Sequence, residues 1–160
     1  MRQIRLPRTE LRVSRFSFGT ASLHHLGSMA DQVRHLHAAR DTGFSHFDTA
    51  PLYGFGGTER ALGAAFSDDR NVSIATKVGL YPPGGTKQRR IEILGRKALG
   101  RAVPRLSRVR ENWAVGQAMQ SLEDSLARLR RDYVDLLLLH EPDILLVAQE
   151  PWLRWLEDEM

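Results

Sequence analysis

Residues 134–140 read Val134-Asp135-Leu136-Leu137-Leu138-Leu139-His140. The leucines run on without alternation, which is the pattern of a strand buried on both faces inside a parallel sheet. Such a strand needs helices over it, and the preceding residues supply one. Val115, Met119, Leu122, Leu126 and Leu129 recur at steps of 4, 3, 4 and 3, which sets them on one helical face. Further toward the N-terminus, Val72–Lys77 is a β-rich strand. Thr58 is placed to cap a short helix carrying Ala61, Leu62, Ala65 and Phe66. Phe44–Asp48 is the next strand. Met29, Val33, Leu36 and Ala39 mark a helix with Ser28 at its N-cap and Gly43 at its end. Phe16–Phe18 is a short strand leading into Gly19-Thr20, and residues 1–15 read as a hairpin turning near Pro7. Toward the C-terminus, Trp152, Leu153, Trp155 and Leu156 follow Pro151 in a final helix. Apart from the hairpin and residues 80–111, the order is β-α-β-α-β-α-β-α. That order implies an α/β fold of parallel strands joined by right-handed crossovers. It is compatible with a small doubly wound sheet or with part of a (β/α)8 barrel. No G-x-G-x-x-G follows the first strand, which disfavours a dinucleotide-binding doubly wound sheet.

Composition sets the outer bounds. The chain has 160 residues and 18.1 kDa, of which 42% are hydrophobic and 26% charged. These values fit one globular domain able to bury roughly two thirds of its unfolded surface, and they exclude wholesale disorder. No cysteine is present, so disulfides, thiolate metal sites and a cysteine nucleophile are all excluded. The N-terminus has arginines but no apolar run behind them, so no signal peptide is visible, and no apolar stretch is long enough to span a bilayer. A cytoplasmic protein is expected.

The net charge of +4 is not evenly spread. From Lys87 to Arg110 there are nine basic residues (Lys87, Arg89, Arg90, Arg96, Lys97, Arg101, Arg105, Arg108, Arg110) against one acid, Glu92, so the rest of the chain is net negative. A cluster of this kind can hold phosphates or anionic surfaces. This one has no aromatic stacking residue and no nucleic-acid motif, so residues 80–111 read as a solvated basic insert within the single domain 1–160, and a nucleic-acid partner is not expected.

Four polar residues stand at or just past the C-terminal ends of strands: Asp48, Lys77, His140 and, in the loop after the second strand, Tyr53. In parallel α/β architectures that edge carries the site. A lysine ending an apolar strand needs a partner, and Asp48 on the adjacent strand is placed to be one. A tyrosine beside that ammonium would have its pKa drawn down from about 10, which makes it a usable acid near neutral pH. His140 could hydrogen-bond a carbonyl oxygen. The other histidines suggest no metal. His35 and His37 are two residues apart on a helix and do not share a face, and His24-His25 lie in a loop.

Several stretches together resemble the aldo/keto reductase family. They are Gly43-Phe44-Ser45-His46-Phe47-Asp48-Thr49-Ala50-Pro51-Leu52-Tyr53-Gly54 with Thr58-Glu59-Arg60-Ala61-Leu62-Gly63, then Ile74-Ala75-Thr76-Lys77-Val78-Gly79. Ser121-Leu122-Glu123-Asp124-Ser125-Leu126-Ala127-Arg128-Leu129, Asp132-Tyr133-Val134-Asp135 and Leu137-Leu138-Leu139-His140 complete the set. Gly19-Thr20 is similar to the family's first strand end, and the resemblance covers nearly the whole chain. It implies a TIM-type (β/α)8 barrel and reduction of an aldehyde or ketone, or oxidation of the alcohol or sugar, with NADP(H), NAD being the alternative. By position, Tyr53 would be the general acid, Lys77 paired with Asp48 its activator, and His140 the group orienting the carbonyl. Gly19, Thr20 and Asp48 would contact the cofactor, and no metal is implied. An eight-unit barrel takes about 250 residues. These 160 therefore correspond to about the first four βα units, and most of the family's cofactor site lies on later strands. A half-barrel leaves strand edges unpaired. That raises the alternative of a non-catalytic fragment that self-associates or docks with a C-terminal half.

Overall fold

The computed structural model describes residues 1–88, 90–100, 103, 108–147 and 149–159. Strands β1 (Gln3–Arg5) and β2 (Arg12–Ser14) form an antiparallel hairpin pairing Ile4 with Val13. Its turn places Arg8 at a positive φ of 62° and is closed by the Leu11 carbonyl, which accepts from the Leu6 N–H at 3.0 Å. The hairpin caps one end of a parallel sheet of β3 (Phe18–Gly19), β4 (His46–Asp48), β5 (Ser73–Val78) and β8 (Leu136–Leu139), in that spatial order. The intervening crossovers are α1 (Met29–Asp41), α2 (Gly57–Phe66) and α4 (Val115–Leu129), and the chain goes on after β8 through α5 (Ile144–Val147) and α6 (Glu150–Asp158). This is a partial (β/α) barrel.

The helices pack on one face of the sheet. Period-2 alternation turns Phe47 and Ile74 toward them, into a core with Leu36, Leu62, Phe66 and Leu129. A second core joins Val78 to Ala118, Leu122, Trp152 and Trp155. Asp48 and Lys77 have the opposite parity and face the other side. So does Leu138, paired in register with Lys77 and 38% exposed. The leucine run of β8 is therefore covered on its helix side only, which corrects the expectation of burial on both faces. Helix α1 has the Ser28 cap, in a capping box with Asp31. Helix α2 differs from expectation. Gly56, in the left-handed region, precedes it, and Thr58 lies inside the first turn with its hydroxyl engaged elsewhere.

The basic segment contains three elements that composition hides. Leu80–Tyr81 (β6) pairs antiparallel with Arg110–Glu111 (β7), drawing the two ends of the segment together, and Arg90–Gly100 forms helix α3. Arg89, Arg101 and Arg105 lie outside the described residues. The strap is held at Gly79, whose φ is 111° and where a Cβ would come within 2.1 Å of the Trp113 ring. Among the described residues no helix is long and apolar enough to cross a membrane.

Candidate active site

Each of the four polar residues comes from a strand end or from the turn beyond it. The parallel register sets Asp48 beside Ala75, two residues before Lys77, so the lysine side chain reaches back to the neighbouring strand end. Its Nζ donates to Asp48 Oδ1 at 2.5 Å, to Oδ2 at 2.7 Å and to the Thr49 carbonyl at 2.9 Å. The lysine side chain is 12% exposed and the aspartate 28%. A buried ammonium is costly unless its donors are met, and here all three are.

Tyr53 begins a tight turn after β4 in which Gly54, Phe55 and Gly56 all have positive φ, at 56°, 58° and 74°. Phe55 is the costly one, because an L side chain in the left-handed region crowds its own backbone. The turn is fitted against its surroundings: a Cβ on Gly54 would lie 2.7 Å from His24 Cβ, and one on Gly56 would lie 2.9 Å from Arg128 Cδ. The Tyr53 ring sits with its centroid 5.0 Å from Lys77 Nζ and 5.7 Å from the His140 ring, which meets it edge-on at 86°.

His140 follows β8 directly, and its N–H donates to the Val78 carbonyl at 2.9 Å. Burial pushes its imidazole below the ordinary value of 6.5, and the nearby Lys77 charge pushes the same way. Nδ1 is buried with no hydrogen-bond partner among the described residues. A neutral ring with its proton on Nε2 leaves only a lone pair unmet there, the cheaper arrangement. That tautomer presents an N–H donor at the opposite side of the ring.

Gly19 and Thr20 differ in what they offer. A Cβ on Gly19 would meet nothing within 4 Å, so the end of β3 is open. Thr20 is fully buried, and its N–H and hydroxyl both donate to the Asp48 carbonyl, at 2.9 and 3.0 Å. It ties β3 to β4 rather than presenting a hydroxyl outward. A cavity of about 240 Å³ near Pro51 is lined by Lys87, Arg110, Ser121 and Asp124 and contains none of Tyr53, Lys77 and His140.

Behind the site is a network that motif reading passed over. Glu59 is fully buried. Its Oε1 accepts from the Thr76 hydroxyl at 2.7 Å, and its Oε2 accepts from Arg128 Nε at 2.6 Å. Arg128, 8% exposed at its side chain, also donates to Thr86 Oγ1 at 2.9 Å and Ser125 Oγ at 3.0 Å. The signal was legible in the spacing. Glu59, Leu62 and Phe66 share one helical face, and a carboxylate on a core face requires a buried partner.

A model of the aldo/keto reductase family matches residues 15–158. The chain is 30% identical over 126 residues to the 6-dehydroglucose reductase of Novosphingobium aromaticivorans, covering 72% of this chain and 33% of that protein. It is 30% identical over 155 residues to the pyridoxal 4-dehydrogenase of Microbacterium luteolum, covering 85% and 42%. The holo form of an aldo-keto reductase from Bacillus halodurans superposes on 98% of this chain and 44% of its own, with a TM-score of 0.71 and 26% identity. The chain thus spans a third to somewhat under half the length of these relatives. With the fold, the strand-end residues and the sequence match in agreement, the chain belongs to the aldo/keto reductase family of oxidoreductases.

Proposed function

We propose that this chain carries the proton-transfer half of an NADP(H)-dependent carbonyl reductase, acting on a small aldehyde, ketone or sugar or on the corresponding alcohol. The observation that carries the proposal is the meeting of three groups. An ammonium locked on Asp48 lies 5.0 Å from the Tyr53 ring, and a histidine held below its ordinary pKa stands edge-on to that ring. In reduction, Tyr53 Oη donates the proton to the carbonyl oxygen. Lys77, held on two carboxylate oxygens and a carbonyl, keeps a fixed positive charge beside the forming alkoxide, which needs no reorganisation at the moment of reaction. His140, uncharged at neutral pH, donates its Nε2 proton in a hydrogen bond that orients the carbonyl.

The nicotinamide cofactor supplies the hydride when bound. Of Gly19, Thr20 and Asp48, only Gly19 and Asp48 offer surface that would hold its nicotinamide end, since Thr20 is buried with its N–H and hydroxyl both spent on the Asp48 carbonyl. The open backbone edge at Gly19 supports this fit, because a planar ring can approach a residue that has no side chain. The length shared with the relatives supports the further reading that the remaining cofactor contacts come from βα units beyond these four.

The test is NADPH oxidation followed at 340 nm with a small aldehyde. Activity that is abolished by Tyr53→Phe, with the fold intact by circular dichroism, is the expected result. Turnover unchanged in Tyr53→Phe would overturn the assignment.

A further inference from the structure

The proposed chemistry requires Tyr53 and Lys77 to keep a fixed separation, yet they lie on different elements. Lys77 is on β5, and Tyr53 is on a turn with three left-handed residues in succession. A turn of that kind does not hold its own shape, since its two glycines are free to leave the left-handed region and Phe55 is disfavoured in it, so it persists only when its surroundings over-determine it. One side chain reaches both sides. Thr58 is fully buried in the first turn of α2. Its hydroxyl donates to the Tyr53 carbonyl at 3.2 Å and lies 3.0 Å from Thr49 Oγ1, from which it accepts. Thr49, also fully buried, carries the carbonyl that accepts from Lys77 Nζ at 2.9 Å. The chain of contacts therefore runs from the Tyr53 backbone through Thr58 and Thr49 to the lysine ammonium. The next residue in sequence, Glu59, ties the same helical turn to Thr76, the neighbour of Lys77 on β5.

Resting on the reductase reading, we infer that Thr58 is a positioning residue that couples the Tyr53 turn to the Lys77 ammonium. It touches neither substrate nor cofactor. Among the described residues, its hydroxyl is the one group shown to bond both the turn's carbonyl and the residue supplying the lysine's third acceptor. A valine there would fill the same space and remove both hydrogen bonds, the one to the Tyr53 carbonyl and the one from the Thr49 hydroxyl.

Four proteins test this: the parent chain, Thr58→Val, Thr58→Ser and Leu62→Val. Leu62 is fully buried in the same helix but has no part in the chain of contacts, so its variant measures lost packing alone. The lysines are Lys77, Lys87 and Lys97 and the tyrosines Tyr53, Tyr81 and Tyr133, so 15N-lysine and 13C-tyrosine labelling gives few signals to assign. In the parent, the Lys77 ammonium protons should exchange slowest of the three. Thr58→Val should speed that exchange about tenfold and move the Tyr53 ring resonances, while Thr58→Ser and Leu62→Val keep both near the parent. If Thr58→Val changes neither signal, or Leu62→Val changes both as much, the inference is overturned. NADPH oxidation is read on the same samples. In an active parent, Thr58→Val should lower kcat about tenfold or more with KM little changed, and an unchanged kcat would overturn the inference. An inactive parent would show that this chain does not turn over without the βα units that supply the remaining cofactor contacts, and the coupling would still be decided by the lysine and tyrosine signals.

Discussion

Glu59→Gln should be the most damaging single-atom change in this protein. The carboxylate is fully buried and bonded at 2.6 Å to an arginine whose side chain is 8% exposed and at 2.7 Å to the buried hydroxyl of Thr76. Arg128 can only donate, so an amide keeps both contacts only with its oxygen on Arg128 and its NH2 on Thr76, whose hydroxyl must then turn from donating to accepting. The guanidinium, 8% exposed, also loses its counter-charge. Breaking a buried pair by removing one partner costs about 3–5 kcal/mol, a large part of the roughly 5–15 kcal/mol that holds a domain folded. With a urea m-value of about 2 kcal/mol/M, the unfolding midpoint should fall by about 1.5–2.5 M. The damage should reach the site, because Arg128 packs against Gly56 in the Tyr53 turn. Urea unfolding followed by tryptophan fluorescence measures this, with m checked for constancy. A shift below about 0.5 M would refute the reasoning. So would a double variant, Glu59→Leu with Arg128→Met, that is no more stable than Glu59→Gln. Removing both charges together should recover much of the loss, because a buried pair and an apolar pair are close in net stability.

Two further outcomes follow from the same structure. Burial holds the imidazoles of His46 and His140 below 6.5. The unfolded chain then takes up protons first as pH falls, so stability should be level above about pH 6.5 and decline below it. Histidine NMR titration should give both midpoints under that value, and a midpoint at or above it for either would contradict the assignment. Gly79→Ala should destabilise by about 2–3 kcal/mol or more, since it strains a left-handed backbone and drives a Cβ into the Trp113 ring. Thermal unfolding with near-ultraviolet circular dichroism would show it, and a wild-type midpoint would mean that the strap does not depend on this contact.

Much of the architecture could be read directly. The helical spacing from Val115 to Leu129, the leucine run of β8 and the strand-end positions of Asp48, Lys77 and His140 are local patterns, and local patterns survive in a linear string. What local pattern does not carry is which partner a side chain meets once the chain has folded. Thr58 has the chemistry of a cap, but Gly56 already starts the helix and the Thr58 hydroxyl is drawn to Tyr53 and Thr49 instead. The strap of Leu80–Tyr81 with Arg110–Glu111 joins two dipeptides about thirty residues apart, too short for any periodicity to reveal. Arg131 belongs to no motif or periodic pattern in the sequence. It is buried, and its guanidinium donates to the Phe66, Asp69 and Val72 carbonyls at 2.7–2.9 Å, stitching the end of α2 to the start of β5.

By itself, the sequence determined the α/β class, the parallel strand order, the family and the identity of the four polar residues at one sheet edge. Each of these follows from side-chain period or from motif chemistry, which depend on neighbours along the chain. Only the tertiary structure decided that the lysine is satisfied by two carboxylate oxygens and a carbonyl, and that Thr20 ties two strands together instead of facing outward. It also decided that a buried glutamate and arginine brace the turn carrying Tyr53. Those outcomes depend on which donors and acceptors meet once water is excluded. A buried polar group must find a partner wherever the fold brings one, and no local pattern says where that will be.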